Sequence, residues 1–251
     1  MKSSLSFTLA GVVFFVICVL AYVPASQVLG RVALPANITI SGVSGTIWDG
    51  KVQQVVVQGM PVKDVRWQLS AWSLLSGRVQ ADIVAGNIRD AEEVAFMGPI
   101  SVSLFNVKNI RIADASLYFP VDRVLAEVQL PLPVNAGGRF RVLVNELEFT
   151  PDCHRLEATG DWLNATVSGT QGPIAFGEYT AKLACDGQGV SVSVDEPNKL
   201  GLTLKARLNS EFELVSVEGQ FKPDPSLPEE VSQAALLFGQ PEADGYTRFK
   251  L

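Results

Sequence analysis

Histidine is almost missing from this 251-residue sequence, where His154 stands alone. A zinc or other transition-metal site would therefore need cysteine and carboxylate ligands, and neither the spacing of the three cysteines nor any Asp/Glu cluster supplies them. A Ser-His-Asp triad would have to use His154. Gly42-Val43-Ser44-Gly45 comes near a nucleophile elbow, but no α/β pattern surrounds it. Neither a P-loop nor a GxGxxG turn is present. Cys153 and His154 are neighbours, so on one strand they point to opposite faces and cannot act as a dyad. Charge is scarce as well. Charged residues make up 18% of the chain, the net charge is −6, and no Lys/Arg cluster exists, which makes nucleic acid and anionic headgroups poor partners. No catalytic, cofactor-binding or metal-binding residue is expected, and the chain reads as a protein that is not an enzyme.

One stretch lacks charge altogether. Nothing between Lys2 and Arg31 is ionised, and residues 5–23 are apolar apart from Ser6, Thr8 and Gly11. As a helix this run would extend about 28 Å, close to the hydrocarbon thickness of a bilayer. Tyr22 stands at its far end, where an aromatic ring prefers the headgroup layer, and Lys2 holds the short N-terminus on the cytoplasmic side. A cleaved signal peptide is the rival, with Val23-Pro24-Ala25 loosely resembling a cleavage site. The run is longer than the usual apolar core of ~7–15 residues in such peptides, which favours a retained anchor. The expected layout is residues 1–4 in the cytoplasm, 5–23 across the membrane, 24–36 as a connector and 37–251 on the far side. Membrane lipid is then a partner through residues 5–23.

What is present after Asn37 is hydrophobic content, 47% over the whole chain, in short runs of period two divided by Gly, Pro, Asn and Asp. That texture predicts antiparallel strands. Val65, Trp67 and Leu69 alternate with polar residues, and Leu200, Leu202, Leu204, Ala206 and Leu208 do so most clearly. Ala71–Gly77 is too apolar for an ordinary turn and predicts a helical turn laid back over the sheet, ended by Gly77. Asp90–Phe96 suggests a second short helical piece, Val124–Leu130 a strand, and Asn135–Gly138 a hairpin turn, with a sub-boundary near 131–138. Within Phe140–Phe149 the apolar set changes parity, which predicts a bulge near Asn145. Leu227–Gly239 opens with Pro228 and two glutamates and predicts a short helix burying Val231, Ala235 and Phe238. No fixed period repeats. The fold class expected is all-β, a long curved antiparallel meander with short peripheral helices.

Cys153 and Cys185 fall in the translocated part, where thiols are oxidised, and are expected to pair. Their 32-residue separation is worth roughly 3–4 kcal/mol in the chain-entropy model. Glu146 and Glu148 share a strand face at roughly 7 Å, a spacing seen in inverting glycosidases, but both point the same way, with Arg139 and Arg141 nearby to neutralise them. A solvated charged face is the better reading. Trp48, Trp67, Trp72 and Trp162 either line a binding cleft or fill a sheet core.

A set of ordered motifs carries a resemblance. Val43–Gly50, Trp67, Trp72–Gly77, Pro151, Cys153, Gly160, Trp162, Cys185-Asp186-Gly187, Leu200-Gly201-Leu202, Leu236, Gly239, Pro241 and Gly245-Tyr246 together resemble the protein N component of bacterial type II secretion systems. The similarity spans nearly the whole chain, and Thr247-Arg248-Phe249 departs from the apolar alternation expected there. It implies a single-pass inner-membrane protein with a periplasmic β domain that assists export of folded proteins, with other components of that apparatus as partners. It also implies a distant similarity to AsmA-like proteins, whose apolar concave sheets make a lipid ligand the alternative. The mature chain is expected to retain residues 1–25. Intact mass after purification from membranes checks this, and a mature N-terminus beyond Ala25 contradicts it.

Overall fold

The structure is a computed structural model that describes residues 11–12, 14–16, 18–31, 37–57, 59–125, 135–211 and 213–250. Among the described residues, thirteen strands form one sheet in strict chain order, each antiparallel to the next. They are β1 Ile38–Gly45, β2 Asp49–Val57, β3 Met60–Leu69, β4 Arg78–Ala85, β5 Ala95–Ser103, β6 Ile110–Pro120 and β7 Ala136–Thr150. The series continues with β8 Asp152–Gly169, β9 Gly172–Asp186, β10 Gly189–Val194, β11 Thr203–Leu208, β12 Leu214–Phe221 and β13 Thr247–Lys250. β1 and β13 are the two edges.

Alternation alone would scatter the apolar residues over both faces, because parity reverses within several strands. Ile40 pairs with Val55 and Val55 with Val62, whereas Val43 pairs with Val52 and Val52 with Val65. Between the two sets lie Gly42 (φ 72°) and Asp64 (φ 50°). In β6 and β7, Ile110 and Ile112 oppose Phe149 and Leu147, while Ala115 and Leu117 oppose Val144 and Val142. Asp114 (φ 49°) separates them. In β8 and β9, Trp162 faces Tyr179 and Val167 faces Ile174 across Asn164 (φ 52°) and Gly177 (φ 87°). A left-handed residue adds a half-step to the pleat, so the side chains beyond it swap faces and the apolar set stays on one side. Asp and Asn tolerate that conformation better than other residues with a Cβ. The parity change expected near Asn145 is there, as a register shift between Val144 and Glu146.

One sheet has little to cover its apolar face. The chain exposes 15882 Å², whereas a compact monomer of 27.0 kDa would expose about 11,000 Å². Many buried apolar residues are alanines, and the largest fully buried side chain is Val121. Two clusters are better closed. Phe149, Cys153 and Val190 pack with Leu147, Leu156, Cys185 and Leu208. Ala165, Phe176 and Tyr179 pack under Leu200, Leu202, Leu227 and Val231. Cys153 and Cys185 are joined in the first cluster, with Cα atoms 5.4 Å apart.

The expectations for four segments, Ala71–Gly77, Asp90–Phe96, Val124–Leu130 and Asn135–Gly138, are corrected. Ala71–Ser76 is a 3-10 helix ended by Gly77 in the left-handed region, but Trp72 and Leu75, each 81% exposed, stand away from the sheet. Asp90–Phe96 is not helical: Asn87 and Asp90 accept the N–H groups of Arg89 and Glu92 in tight turns, and β5 begins at Ala95. Val121–Leu125 is a helix where a strand was expected from Val124, and residues 126–130 lie outside the described residues. Ala136–Gly138 belongs to β7 rather than a hairpin turn; Gly138 (φ 99°) lets the chain approach the Leu163 carbonyl too closely for any Cβ. The connector 24–36 holds a helix, Ala25–Leu29, and Pro24 bridges to Thr46. Of the expected span 5–23, residues 5–10, 13 and 17 lie outside the described residues; the described residues of 11–21 are helical. Among the described residues no helix is long and apolar enough to cross a membrane. The tail, which departs from the resemblance, forms β13 and turns Phe249 onto the apolar face against Phe221, ring centroids 5.9 Å apart.

Replacing Cys153 and Cys185 together with alanine should lower unfolding free energy by roughly 3–4 kcal/mol, read as a lower urea midpoint; an unchanged midpoint would sink that assignment. Gly50 lies under the Trp67 indole, whose Nε1 donates to the Ile47 carbonyl at 2.9 Å. Gly50→Val displaces that ring and should cost about 1–3 kcal/mol, with a changed near-ultraviolet dichroism as the accompanying sign.

Candidate functional site

The groups that could carry chemistry are used up in holding the sheet. Ser44 is the next-to-last residue of β1, opposite Lys51, and the chain turns there into another strand rather than into a helix. His154 is exposed, its Nε2 3.2 Å from the Thr150 carbonyl. Glu148 takes both Nε and Nη2 of Arg111, at 3.0 and 2.7 Å, and this guanidinium holds its carboxyl below the usual carboxylate range. Glu146 is bonded to Arg155 at 3.0 Å. Arg111 and Arg155 neutralise the two glutamates, rather than Arg139 and Arg141. Arg141 instead reaches Asp161, directly opposite on β8, at 2.7 Å. Arg139 is buried, donates to the carbonyls of Ile88 and Glu93, and lies 4.7 Å over the Tyr118 ring. Its work is to tie the β4–β5 loop to the sheet. These cross-strand pairs, with Arg207–Asp186 at 3.0 Å, make the face opposite the apolar one a charged, solvated surface. Among the described residues no group of His, Cys, Asp and Glu is placed to hold a metal ion.

The four tryptophans do not converge. Trp48 donates its Nε1 to the Leu20 carbonyl at 2.8 Å, and Trp67 crosses Gly50. Trp72 is exposed. Trp162 stands in a row of rings on the apolar face, Phe119–Phe140–Trp162–Tyr179, with centroids 5.6, 5.7 and 5.6 Å apart. Burial pushes the Tyr179 hydroxyl up to about 12, so it stays neutral and donates no charge to the face.

Beyond this row, the apolar face is roofed. The helix Glu229–Ala235 follows Pro228, carries Glu229 and Glu230 in its first turn, and is pinned by Glu230, which accepts the Thr170 N–H and hydroxyl at 2.8 Å each. Between it and the sheet lies a cavity of about 420 Å³. Its floor is Val167, Leu204, Ala206, Val217, Phe221 and Phe249, and its roof is Val231, Ala234, Ala235 and Phe238. Leu125 closes one side, and among the described residues no charged one lines it. A second cleft, about 470 Å³, lies at Thr170–Ala175 and Ser226–Glu230, but Lys199, Glu229 and Glu230 line it. The apolar cavity, half open to solvent, is the candidate site because its described lining is uncharged and its volume falls within the size range of ligand pockets. Strand alternation and the Val231, Ala235, Phe238 stripe were legible beforehand. That Leu125 and Phe249 join them was not, since both arrive from distant parts of the chain.

Comparison with known proteins is consistent with this architecture. The family model for type II secretion system protein N matches residues 36–250. A type II secretion system protein N from Vibrio cholerae is 26% identical over 253 residues, covering 98% of this chain and 96% of the relative. The Aeromonas hydrophila protein of that name is 27% identical over 237 residues, 92% and 90% of the two chains. The one from Pectobacterium carotovorum is 23% identical over 192 residues, 74% and 71%. No solved structure matches. With the family model covering most of its length, the chain belongs to the type II secretion system protein N family.

Proposed function

We propose that the chain is a non-enzymatic assembly component of the type II secretion apparatus, anchored in the inner membrane by residues 5–23. Residues 1–4 then lie in the cytoplasm and the sheet, within 37–251, in the periplasm. There it supports export of folded proteins across the outer membrane through contacts with other components. The observation that carries this reading is a sheet whose Glu146, Glu148 and Asp161 carboxylates are each held by an arginine while one apolar face stays half covered. Such a surface holds or touches rather than transforms. Phe14, Phe15, Val19 and Leu20 are all exposed along the described part of the N-terminal helix, as an embedded segment requires. A disulfide joining Cys153 to Cys185 suits an oxidising compartment.

The 420 Å³ apolar cavity favours a second reading, a lipid-handling module that shields an acyl chain from water. Deletion of the gene should reduce exoprotein export, with recovery by the wild-type chain; normal export and intact assembly in the deletion strain would refute the assembly role. For the second reading, native mass spectrometry of the full chain should find a bound acyl lipid that Ala206→Trp, which fills the cavity, removes. No bound lipid in the wild type ends that reading.

A further inference from the structure

The most exposed apolar side chains of the sheet body gather at one end. Trp72 and Leu75 project from the β3–β4 loop, and Phe105 and Val107, 91% and 74% exposed, from the β5–β6 loop. The two loops are one structure. The Leu104 N–H donates to the Gly77 carbonyl at 2.9 Å, and the Phe105 ring lies where a Cβ on Gly77 would stand. Their backbones are held by their own groups: Ser73 Oγ donates to the Ser70 carbonyl at 2.7 Å and accepts the Gln80 N–H at 3.1 Å. Asn106 Oδ1 accepts the Lys108 N–H at 3.1 Å. Residues 70–77 and 104–109 contain no aspartate or glutamate in a chain that has 26, and Lys108 is their one charge. A rigid, carboxylate-free tip of four large apolar side chains is costly in water and suited to a headgroup layer.

Its position says which layer. In a meander, the β1–β2, β3–β4 and β5–β6 connections lie at the same end of the sheet. At that end the N-terminal helix arrives: Trp48 Nε1 donates to the Leu20 carbonyl, and the Ile47 N–H to the Val23 carbonyl at 3.1 Å. The Leu69 N–H then reaches the Trp48 carbonyl at 2.7 Å, immediately before the apolar loop. With strands about 4.8 Å apart, the β5–β6 loop lies roughly 20 Å across the sheet from the β1–β2 turn. We propose that Trp72, Leu75, Phe105 and Val107 form a second membrane contact, dipping into the same bilayer that holds residues 5–23. The proposal rests on the anchor reading. The contact sets the sheet on end, with its β1–β6 region fixed to the membrane at two places.

The test uses the full chain in phosphatidylcholine vesicles brominated on the acyl chains, with tryptophan emission as the readout. Bromine should quench the wild type, and Trp72→Phe should lose most of that quenching, Trp48 keeping a share. Adding Phe105→Trp to the Trp72→Phe background should restore it. Quenching that is unchanged by Trp72→Phe, with unquenched emission from Phe105→Trp, places the tip in water or under a protein partner and overturns the proposal while the anchor reading stands. Release of the chain from vesicles by alkaline carbonate overturns both.

Discussion

Everything in this molecule depends on keeping apolar side chains on one face of a sheet thirteen strands wide. A pleated strand alternates strictly, and any half-step would turn the remaining hydrophobic residues outward. The chain takes such half-steps at Gly42, Asp64, Asp114 and Asn164, in the left-handed region, and at each one the sequence reverses its own pattern to compensate. Backbone and side-chain patterns are therefore in register only together. Losing the half-step at Asp114 would send either Ile110 and Ile112 or Ala115 and Leu117 to the charged side.

A single layer built this way spends its polar chemistry on itself. Arg111–Glu148 and Arg141–Asp161 face each other directly across neighbouring strands on the solvated side. Individually these exposed pairs contribute little, but they leave no free carboxylate at the positions where sequence spacing hinted at acid–base work. The apolar side is covered unevenly. A roof from residues 200–202 and 227–238 covers the C-terminal end, whereas toward β1–β6 large side chains remain open to whatever surrounds the protein. Function in such a body comes from surfaces, and the two that stand out are a half-open apolar cavity and a carboxylate-free apolar tip.

Much of the architecture was legible in the chain. Alternation gave most strands, the Phe140–Phe149 parity change gave a bulge, and two cysteines in one translocated part gave the Cys153–Cys185 pair. The failures have common physical causes. Asn87 and Asp90 hold turns through their side chains, which no apolar period reveals. Gly137 and Gly138 looked like a hairpin because glycine marks turns, yet here glycine admits a neighbouring strand. Ala71–Gly77 was rightly seen as too apolar for a turn, but an apolar loop has two destinations, a core or a membrane, and local sequence does not choose between them. The partners of Arg139 and the lining of the cavity depend on contacts between residues far apart in the chain.

The central claim, that parity reverses so that one face stays apolar, is tested most directly by cysteine accessibility within β6. In a Cys18→Ser background, Arg111→Cys, Ile112→Cys and Leu117→Cys are compared for their rate of reaction with a water-soluble maleimide. Arg111 and Leu117 share sequence parity but lie on opposite faces across Asp114. Fast labelling at position 111 with slow labelling at both 112 and 117 is the predicted result. Labelling at 117 as fast as at 111 would show an uninterrupted pleat and contradict the account.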